Sequence, residues 1–255
     1  MRKIELASWK DVPRRLASLR KTLEMIYGVK LGVDLEDVPI DRLHPTESFL
    51  EKDKLAVVFM KVVTEDYDVP IIAVKRVEDF FVLDGHHRSF ISKKLMKKTV
   101  KAYVLKFPEN KSYRAVAKPS LEDIPIKDVG VIDDPLMKTW GQILTILKYY
   151  EALYDVSFYL RKEQVRLKDL VPTQSQIRRE QVDAIKELLV PIACVKYEGR
   201  FYILDGHARS LRAKKLGFKS IQAIILSPEV NIDFGIVKAV KEMSIRSLED
   251  IQIMK

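Results

Sequence analysis

Hydrophobic residues recur along the chain with two different periods. Segments in which apolar side chains lie three or four positions apart predict amphipathic helices, and apolar, β-branched runs bounded by turn residues predict strands. The predicted helices are about 9–27, 49–63, 88–97, 136–154 and 176–189. The predicted strands are 38–43, 69–76, 80–83, 99–106 and 220–226. This mixture of helices with hairpin-connected strands predicts an α+β fold.

The chain contains an internal duplication. Residues 81–89 (FVLDGHHRS) recur as residues 202–210 (YILDGHARS), a shift of 121 positions. Nearer the amino terminus the shift is 127, as from Glu24 to Glu151, because the first copy has six more residues between Glu47 and Val69. Such self-similarity indicates repeated structural units. We therefore predict two tandem domains related by pseudo-twofold symmetry. They are 1–127, with a helix at about 9–27 and a core at 35–106, and 128–255, with a helix at about 136–154 and a core at 162–227.

Composition and charge narrow the class of protein. The 255 residues are 47% hydrophobic, yet no apolar run approaches the roughly 18 residues of a membrane span, so we expect a cytoplasmic protein without a membrane partner. The single cysteine, Cys194, excludes a disulfide within one chain. A net charge of +9 favours a polyanion or a phosphorylated small molecule as partner. Charged residues at 32% are typical of a heat-adapted protein.

The repeated loop has the residues of an anion-binding site. A strand ends at Asp84, Gly85 allows a sharp turn, and a helix begins with His86, so backbone N–H groups and the guanidinium of Arg88 should meet at one point. The alternative is that Asp84 only caps the helix and Gly85 only shapes the turn. The predicted phosphate-binding residues are Asp84, Gly85, His86, Arg88 and Ser89 in the first copy and Asp205, Gly206, His207, Arg209 and Ser210 in the second.

The four histidines are concentrated around these loops. His86, His87 and His207 lie in the loops, and His44 lies in an upstream turn that we expect to face them. A metal site built from Asp84 and the three histidines of the first copy is conceivable. Adjacent histidines at a helix start usually point in different directions, however, so we predict no metal bound by the protein alone.

The motif DGHHR at residues 84–88, with VPI at 69–71 and PTE at 45–47 upstream, resembles the partition-protein-B/sulfiredoxin superfamily. The resemblance covers about 35–106 and 162–227 and implies a loop that binds the phosphates of a nucleotide. Sulfiredoxin has a reactive cysteine where this chain has His86 and His207, so sulfinic-acid reduction is not expected. Partition proteins continue into a helix-turn-helix reader, for which a second copy of the first domain leaves no room. The loop is most similar to the archaeal free-serine kinase branch.

The kinase resemblance implies particular roles for the first copy. Glu47 would accept the proton of the substrate hydroxyl, His86 or His87 would contact the transferred phosphate, and Arg88 would neutralise its charge. ATP or ADP, with Mg²⁺, would be the phosphate donor, and Asp84 could help to hold the metal. The second copy has Gln174 and Ala208 at the positions of Glu47 and His87, so the prediction is a kinase of a small hydroxyl-bearing metabolite that is active in the first copy alone.

Two other functions remain open. The net charge and the basic stretches 93–98 and 178–179 fit a nucleotide-responsive or DNA-binding protein without kinase activity. Both copies could also form a scaffold that has lost these activities. In either case Glu47 would be a carboxylate in the first turn of a helix, where it interacts favourably with the helix dipole.

Overall fold

The computed structural model describes residues 4–114, 117–130 and 134–254, and the chain divides into two compact units, Met1–Gly141 and Gln142–Lys255. The first unit contains α1 (Val12–Tyr27), β1 (Gly32–Pro39), β2 (Leu43–Pro45), β3 (Leu50–Glu51), α2 (Lys52–Glu65), β4 (Ile71–Arg76), β5 (Asp79–Asp84), α3 (His86–Lys94), β6 (Thr99–Lys106) and β7 (Ile126–Lys127). Helix α4 (Pro135–Tyr154) contains the boundary between the units. The second unit continues with β8 (Phe158–Arg166), β9 (Leu170–Val171), β10 (Gln176–Arg178), α5 (Arg179–Asp183), β11 (Ile192–Tyr197), β12 (Arg200–Asp205), α6 (His207–Lys215), β13 (Ser220–Pro228), α7 (Gly235–Glu242) and β14 (Gln252–Met254). Short 3-10 turns lie at Ile40–Arg42, Leu167–Asp169 and Leu248–Asp250.

The two units contain similar five-stranded sheets, which confirms the predicted α+β class. The strand orders are β1-β6-β4-β5-β2 and β8-β13-β11-β12-β9. In each sheet the first two strands are antiparallel, the central pair is parallel, and the hairpin strand beside them is antiparallel. An irregularity in the hairpin falls at the matching positions 72–73 and 193–194. Within the described ranges, no helix has the length and apolar character needed to cross a membrane.

Individual contacts are repeated as well. The carboxylate of Glu24 accepts a hydrogen bond from the backbone N–H of Leu31 at 3.0 Å, and that of Glu151 accepts one from Phe158 at 3.2 Å. The parallel pair β3 and β7 in the first unit corresponds to β10 and β14 in the second. The duplication seen in the sequence therefore extends to side-chain and backbone pairing.

Both faces of the first sheet are covered by apolar side chains. Successive residues of β4 point to opposite faces, so that Ile72 and Val74 pack with Val12 of α1, whereas Ile71 and Ala73 belong to the cluster on the other face. Burial on both faces fixes the strand register, because a slip of one residue would exchange the two sets. The end of β5, from which the candidate loop projects, is held by this register.

Two predicted elements were wrong. The predicted helix 176–189 is reduced to Arg179–Asp183, because residues 176–178 form β10 and only a short connection remains before β11. The strand predicted at 38–43 is instead β1, which ends at Pro39, followed by a 3-10 turn. Most side chains of β1 are exposed or half-buried, so its sequence lacks the apolar alternation on which the prediction depended.

Candidate functional site

The candidate site is built around the turn from β5 to α3. Gly85 has φ +102°, and a Cβ atom there would lie 2.6 Å from Cγ2 of Ile71. Gly206 in the second unit has φ +100°, with the corresponding atom of Ile192 at 2.5 Å. A side chain is excluded at both positions by conformation and by space. The prediction that these glycines occupy equivalent strand-to-helix turns is confirmed.

Asp84 pairs with two arginines. Its Oδ1 atom lies 3.1 Å from Arg15 of α1, and its Oδ2 atom lies 3.1 Å from Arg88 of α3. The alternative in which Asp84 caps α3 is wrong, because the N-cap is Gly85 and no side chain provides a capping hydrogen bond. In the second unit Asp205 pairs with Arg209 at 2.8 Å. The carboxylate therefore orients the guanidinium in both loops.

Arg88 has one donor without an acceptor. The residue is buried, its terminal nitrogens contact Asp84 and Tyr67, and its Nε has no hydrogen-bond partner among the described residues. Leaving such a donor unpaired costs about 1–3 kcal/mol. Nε of Arg209 is likewise buried and unpaired, so the two loops share this feature.

The hydrogen bonds of His86 define its protonation state. Its Nε2 atom accepts hydrogen bonds from the backbone N–H groups of Thr46 at 3.1 Å and Glu47 at 3.3 Å. An imidazole nitrogen that accepts carries no proton, so the neutral ring has its hydrogen on Nδ1. Nδ1 lies 3.2 Å from Oε1 of Glu47, but the two groups are not aligned as a full hydrogen bond. This His86 contact lowers the pKa of the Glu47 carboxyl, which is therefore ionised at neutral pH.

His87 holds the start of α2. Its Nε2 atom accepts a hydrogen bond from the backbone N–H of Glu51, the N-cap residue of α2, at 3.1 Å. Burial, with a smaller contribution from Lys54, lowers the pKa of His87 to about 4, so the ring is neutral. Ala208 occupies this position in the second unit, where the corresponding helix has only five residues.

The second unit repeats the His86 arrangement without the carboxylate. His207 accepts a hydrogen bond from the backbone N–H of Thr173 at 3.0 Å, and the Thr173 hydroxyl donates to the carbonyl of Ile203. Burial lowers the pKa of His207 to about 4. The first histidine of each motif thus fixes the facing turn, and the two units differ in whether Glu47 or Gln174 follows.

A small cavity of about 50 Å³ lies at the first loop. Residues 5–7 form part of its wall, and Ala7 is held by a 2.6 Å hydrogen bond from the hydroxyl of Tyr67 to its carbonyl oxygen. Three positively charged residues of the lining form what we call the cation cluster. The lining residues are Glu5, Leu6, Ala7, Arg15, Glu47, Lys54, Val58, Tyr67, Asp84, Gly85, His86, His87 and Arg88, and the cation cluster is Arg15, Lys54 and Arg88.

Sequence reasoning missed Arg15, Lys54 and Tyr67. Comparison of the two copies could have found them: at matching positions of the second copy the residues are Gln142, Gln181 and Leu188, which have no charge or hydroxyl. The substitutions accompany the change from Glu47 to Gln174. Polar residues that are present in the first copy and absent from the second were therefore the signal that could have identified this part of the site.

Two sequence-predicted contributors lie elsewhere. His44 is directed away from the cavity, with Nδ1 3.0 Å from the carbonyl oxygen of Pro119 and Nε2 3.4 Å from Asp79. The turn that contains His44 does face the loop, since the backbone N–H groups of Thr46 and Glu47 donate to His86, but the His44 side chain points elsewhere. Ser89 is fully buried, and its hydroxyl donates to the carbonyl of Gly85, as that of Ser210 does to Gly206. Neither His44 nor Ser89 is part of the cavity lining.

Neither an exposed thiol nor a group of three metal-ligating side chains is found among the described residues. Cys194 is buried in β11, and burial raises the pKa of its thiol, which makes it a poor nucleophile. Within the described ranges, no three His, Cys, Asp or Glu side chains are grouped as a protein-only metal site would require.

Comparisons with known proteins give relatives of unknown role. The uncharacterized protein MJ0188 of Methanocaldococcus jannaschii is 32% identical over 137 residues, and the match spans 51% of this chain and 51% of that protein. This chain thus matches about half the length of that relative. The crystal structure of protein Atu1540 from Agrobacterium tumefaciens aligns with 49% of this chain and 71% of its own, at 16% identity and a TM-score of 0.26, which is too low to indicate a shared fold. No protein-family model matches the chain.

Proposed function

We propose that the first unit is a partition-protein-B/sulfiredoxin-like domain that binds a nucleotide, ATP or ADP, through its phosphates and transfers a phosphoryl group to a small hydroxyl-bearing molecule. The observation that carries the proposal is the ionised carboxylate of Glu47, held beside Nδ1–H of His86 at the edge of a cavity that contains the cation cluster. Phosphoryl transfer requires positive charge around the phosphate and an acceptor for the proton of the hydroxyl, and the lining contains groups of both kinds.

Glu47 is the proposed general base. The substrate oxygen attacks the terminal phosphorus, the bond from phosphorus to the leaving nucleotide oxygen breaks, and the hydroxyl proton passes to the carboxylate. The side chain of Glu47 is 47% exposed, so a substrate can reach it, and its Oε1 atom lies 3.2 Å from Nδ1 of His86. The amide of Gln174 cannot accept this proton, and catalysis is therefore assigned to the first unit.

The cation cluster is the proposed phosphate site. Arg15 and Arg88 both contact Asp84, and each can exchange that contact for a phosphate oxygen. The imidazoles of His86 and His87 already accept backbone hydrogen bonds through Nε2, and Nδ1 of His86 lies beside Glu47, so only Nδ1–H of His87 is assigned to ligand binding. A cavity of about 50 Å³ holds at most a terminal phosphate, and a whole nucleotide requires residues 5–7 to move.

Mg²⁺ is proposed to enter with the nucleotide. It commonly keeps several waters and is held by one or two carboxylates together with substrate phosphates. Both oxygens of Asp84 are engaged by arginines and Glu47 is the proposed base, so the lining carboxylate assigned to the ion is that of Glu5. The bound ion would supply neutralisation of phosphate charge.

The test begins with thermal-shift measurements using ATP, ADP, CTP and AMP, with and without Mg²⁺, followed by phosphotransfer assays against free amino acids, polyols and nucleosides. Glu47→Gln should lower turnover by about 100- to 10,000-fold while nucleotide affinity is nearly unchanged. Gln174→Glu is the matched control in the second unit and should add no activity. Absence of phosphotransfer to every acceptor would overturn the proposal.

The nucleotide-responsive or DNA-binding alternative has weaker support. In the basic stretch 93–98, Lys93 pairs with Asp41 at 2.6 Å, and Lys94 is buried and pairs with Glu122 at 3.0 Å. These two charges are compensated within the protein. Binding of duplex DNA with steep salt dependence, in the absence of phosphotransfer, would favour the alternative.

A further inference from the structure

A larger cavity lies in the second unit. It has a volume of about 590 Å³, in the range of small-molecule sites, and its lining does not include the loop 205–210. It is formed where the end of β8 and the 3-10 turn Leu167–Asp169 meet the α6–β13 connection and the segment 247–249. Nothing in the phosphotransfer proposal uses this cavity.

One part of the lining is apolar. Leu167 and Leu248 are buried beneath the cavity, whereas the ring of Phe218 is 54% exposed beside them. Phe218 follows Gly217, whose φ of +79° turns the chain between α6 and β13. An exposed aromatic ring beside two leucines offers a surface on which a flat apolar ring can stack.

The charged part of the lining has an excess of positive charge. Arg166 pairs with Asp169 at 2.6 Å, and Lys214 pairs with Glu249 at 2.6 Å, so these charges compensate one another. No ion pair is found for Lys168 or Lys219 among the residues that the structure describes. The backbone N–H of Leu167 donates to the carbonyl of Lys219 at 2.9 Å, which brings the backbones carrying these two lysines together.

The corresponding surface of the first unit is different. Asp41 stands at the position of Lys168 and pairs with Lys93, the counterpart of Lys214. Lys97 replaces Phe218. The first unit therefore lacks both the aromatic ring and the uncompensated lysine at position 168, although the backbone contact is repeated between Ile40 and Lys98.

We infer that this cavity binds a small molecule with a flat apolar ring and a phosphate group, of the class of nucleoside monophosphates. The ring packs on Phe218 above the two leucines, and the phosphate lies between Lys168 and Lys219. We infer a ligand with both a ring and a phosphate because the lining has both an apolar surface and two uncompensated lysines. A neutral ring alone would not pair with the lysines, and inorganic phosphate alone would not cover the apolar surface.

The first experiment is calorimetric titration of the full chain with AMP, GMP, CMP, UMP and pyridoxal 5′-phosphate. At least one should bind, and its unphosphorylated form and ribose 5-phosphate should each bind at least about tenfold more weakly, since each lacks one of the two recognised groups. The same titrations on an Arg88→Ala variant distinguish binding in this cavity from binding at the first loop. The Arg88→Ala variant should still bind the ligand, because Arg88 does not line this cavity. If no compound of the panel binds either protein at millimolar concentration, the inference is wrong.

Variants that carry residues of the first unit locate the binding. Lys168→Asp and Phe218→Lys introduce the residues found at those positions in the first unit, and each should weaken binding at least about tenfold. Lys186→Asp makes the same charge change at an exposed lysine of the second unit outside the cavity and should leave affinity unchanged. Equal losses in Lys168→Asp and Lys186→Asp would overturn the inference. Phosphotransfer, assayed separately, should be unaffected by Lys168→Asp, so failure of one proposal is distinguishable from failure of the other.

Discussion

Nδ1 of His86 lies 3.2 Å from Oε1 of Glu47, while Nε2 of the same ring is held by backbone N–H groups. The ring therefore links the loop after β5 to the turn after β2 and places its protonated nitrogen beside the carboxylate. His207 makes the same backbone contact in the second unit, but Gln174 stands at the position of Glu47. Equivalent histidines thus hold equivalent turns in the two units, and the turn carries the acidic Glu47 in one unit and the neutral Gln174 in the other.

Replacing Arg15 by Gln should weaken binding of a phosphate-bearing ligand at the first loop by about tenfold or more, since a hydrogen bond to a charged group contributes about 1.5–3 kcal/mol. The change introduces the residue found in the second unit and removes one member of the cation cluster. Calorimetric titration with the nucleotide identified by thermal shift measures it. Arg14→Gln is the control, because the neighbouring side chain is 83% exposed and pairs only with Asp11 in the described contacts. Equal affinity in the two variants would contradict the placement of Arg15.

Stability should fall as the pH is lowered from about 6.5 to about 4. The folded-state pKa values of His87 and His207 are lowered to about 4, so in this range the unfolded chain binds more protons than the folded one. The stabilisation is fully present above the unfolded pKa and lost on acidification, on the order of 3 kcal/mol per histidine at most. Urea unfolding at pH 7.5, 6.5, 5.5 and 4.5 measures it. His87→Gln should reduce the pH dependence, and a free energy of unfolding that is constant over this range would contradict burial of the neutral rings.

Gly85→Ala and Gly206→Ala should each destabilise the protein by at least about 2 kcal/mol, because positive φ and a clash with isoleucine act together. Gly32→Ala is the control. Gly32 has no left-handed φ, and its nearest neighbour, Cβ of Lys106, would lie 3.7 Å from the added methyl group. This change should alter the free energy of unfolding by less than about 0.5 kcal/mol. Denaturant unfolding measures the free energy of unfolding of all three variants. If the loop variants lose no more stability than Gly32→Ala, the two loop turns are not sterically restricted.

Tyr67→Phe should loosen the segment 5–7. The variant loses the 2.6 Å hydrogen bond from the Tyr67 hydroxyl to Ala7 and a longer contact with Arg88, at a cost of about 1 kcal/mol. Hydrogen exchange in residues 5–7 should become faster, and nucleotide association should speed up because this part of the cavity wall moves away more often. Unchanged exchange in the variant would show that this hydrogen bond does not hold the segment.

The sequence alone determined the duplication, the α+β class and the strand-to-helix turns at Gly85 and Gly206. These follow from local patterns: a buried strand, a glycine and a helical period occur in succession and twice. The contrast between Glu47 and Gln174 was also evident once the copies were aligned. The sequence did not reveal the exposed strand β1 or the short α5, because an edge strand lacks apolar alternation and helix length depended on the connection to β11.

Only the tertiary structure decided which side chains surround the loop. Arg15 contacts Asp84, 69 positions away in the sequence, because α1 packs on the sheet that contains β5. No local sequence pattern specifies this contact. Packing also turned His44 towards Asp79 and assigned the histidines of the motif to backbone contacts. The residue types were visible in the sequence, but their partners depend on long-range packing of helix against sheet, and that packing gives each polar group its neighbours.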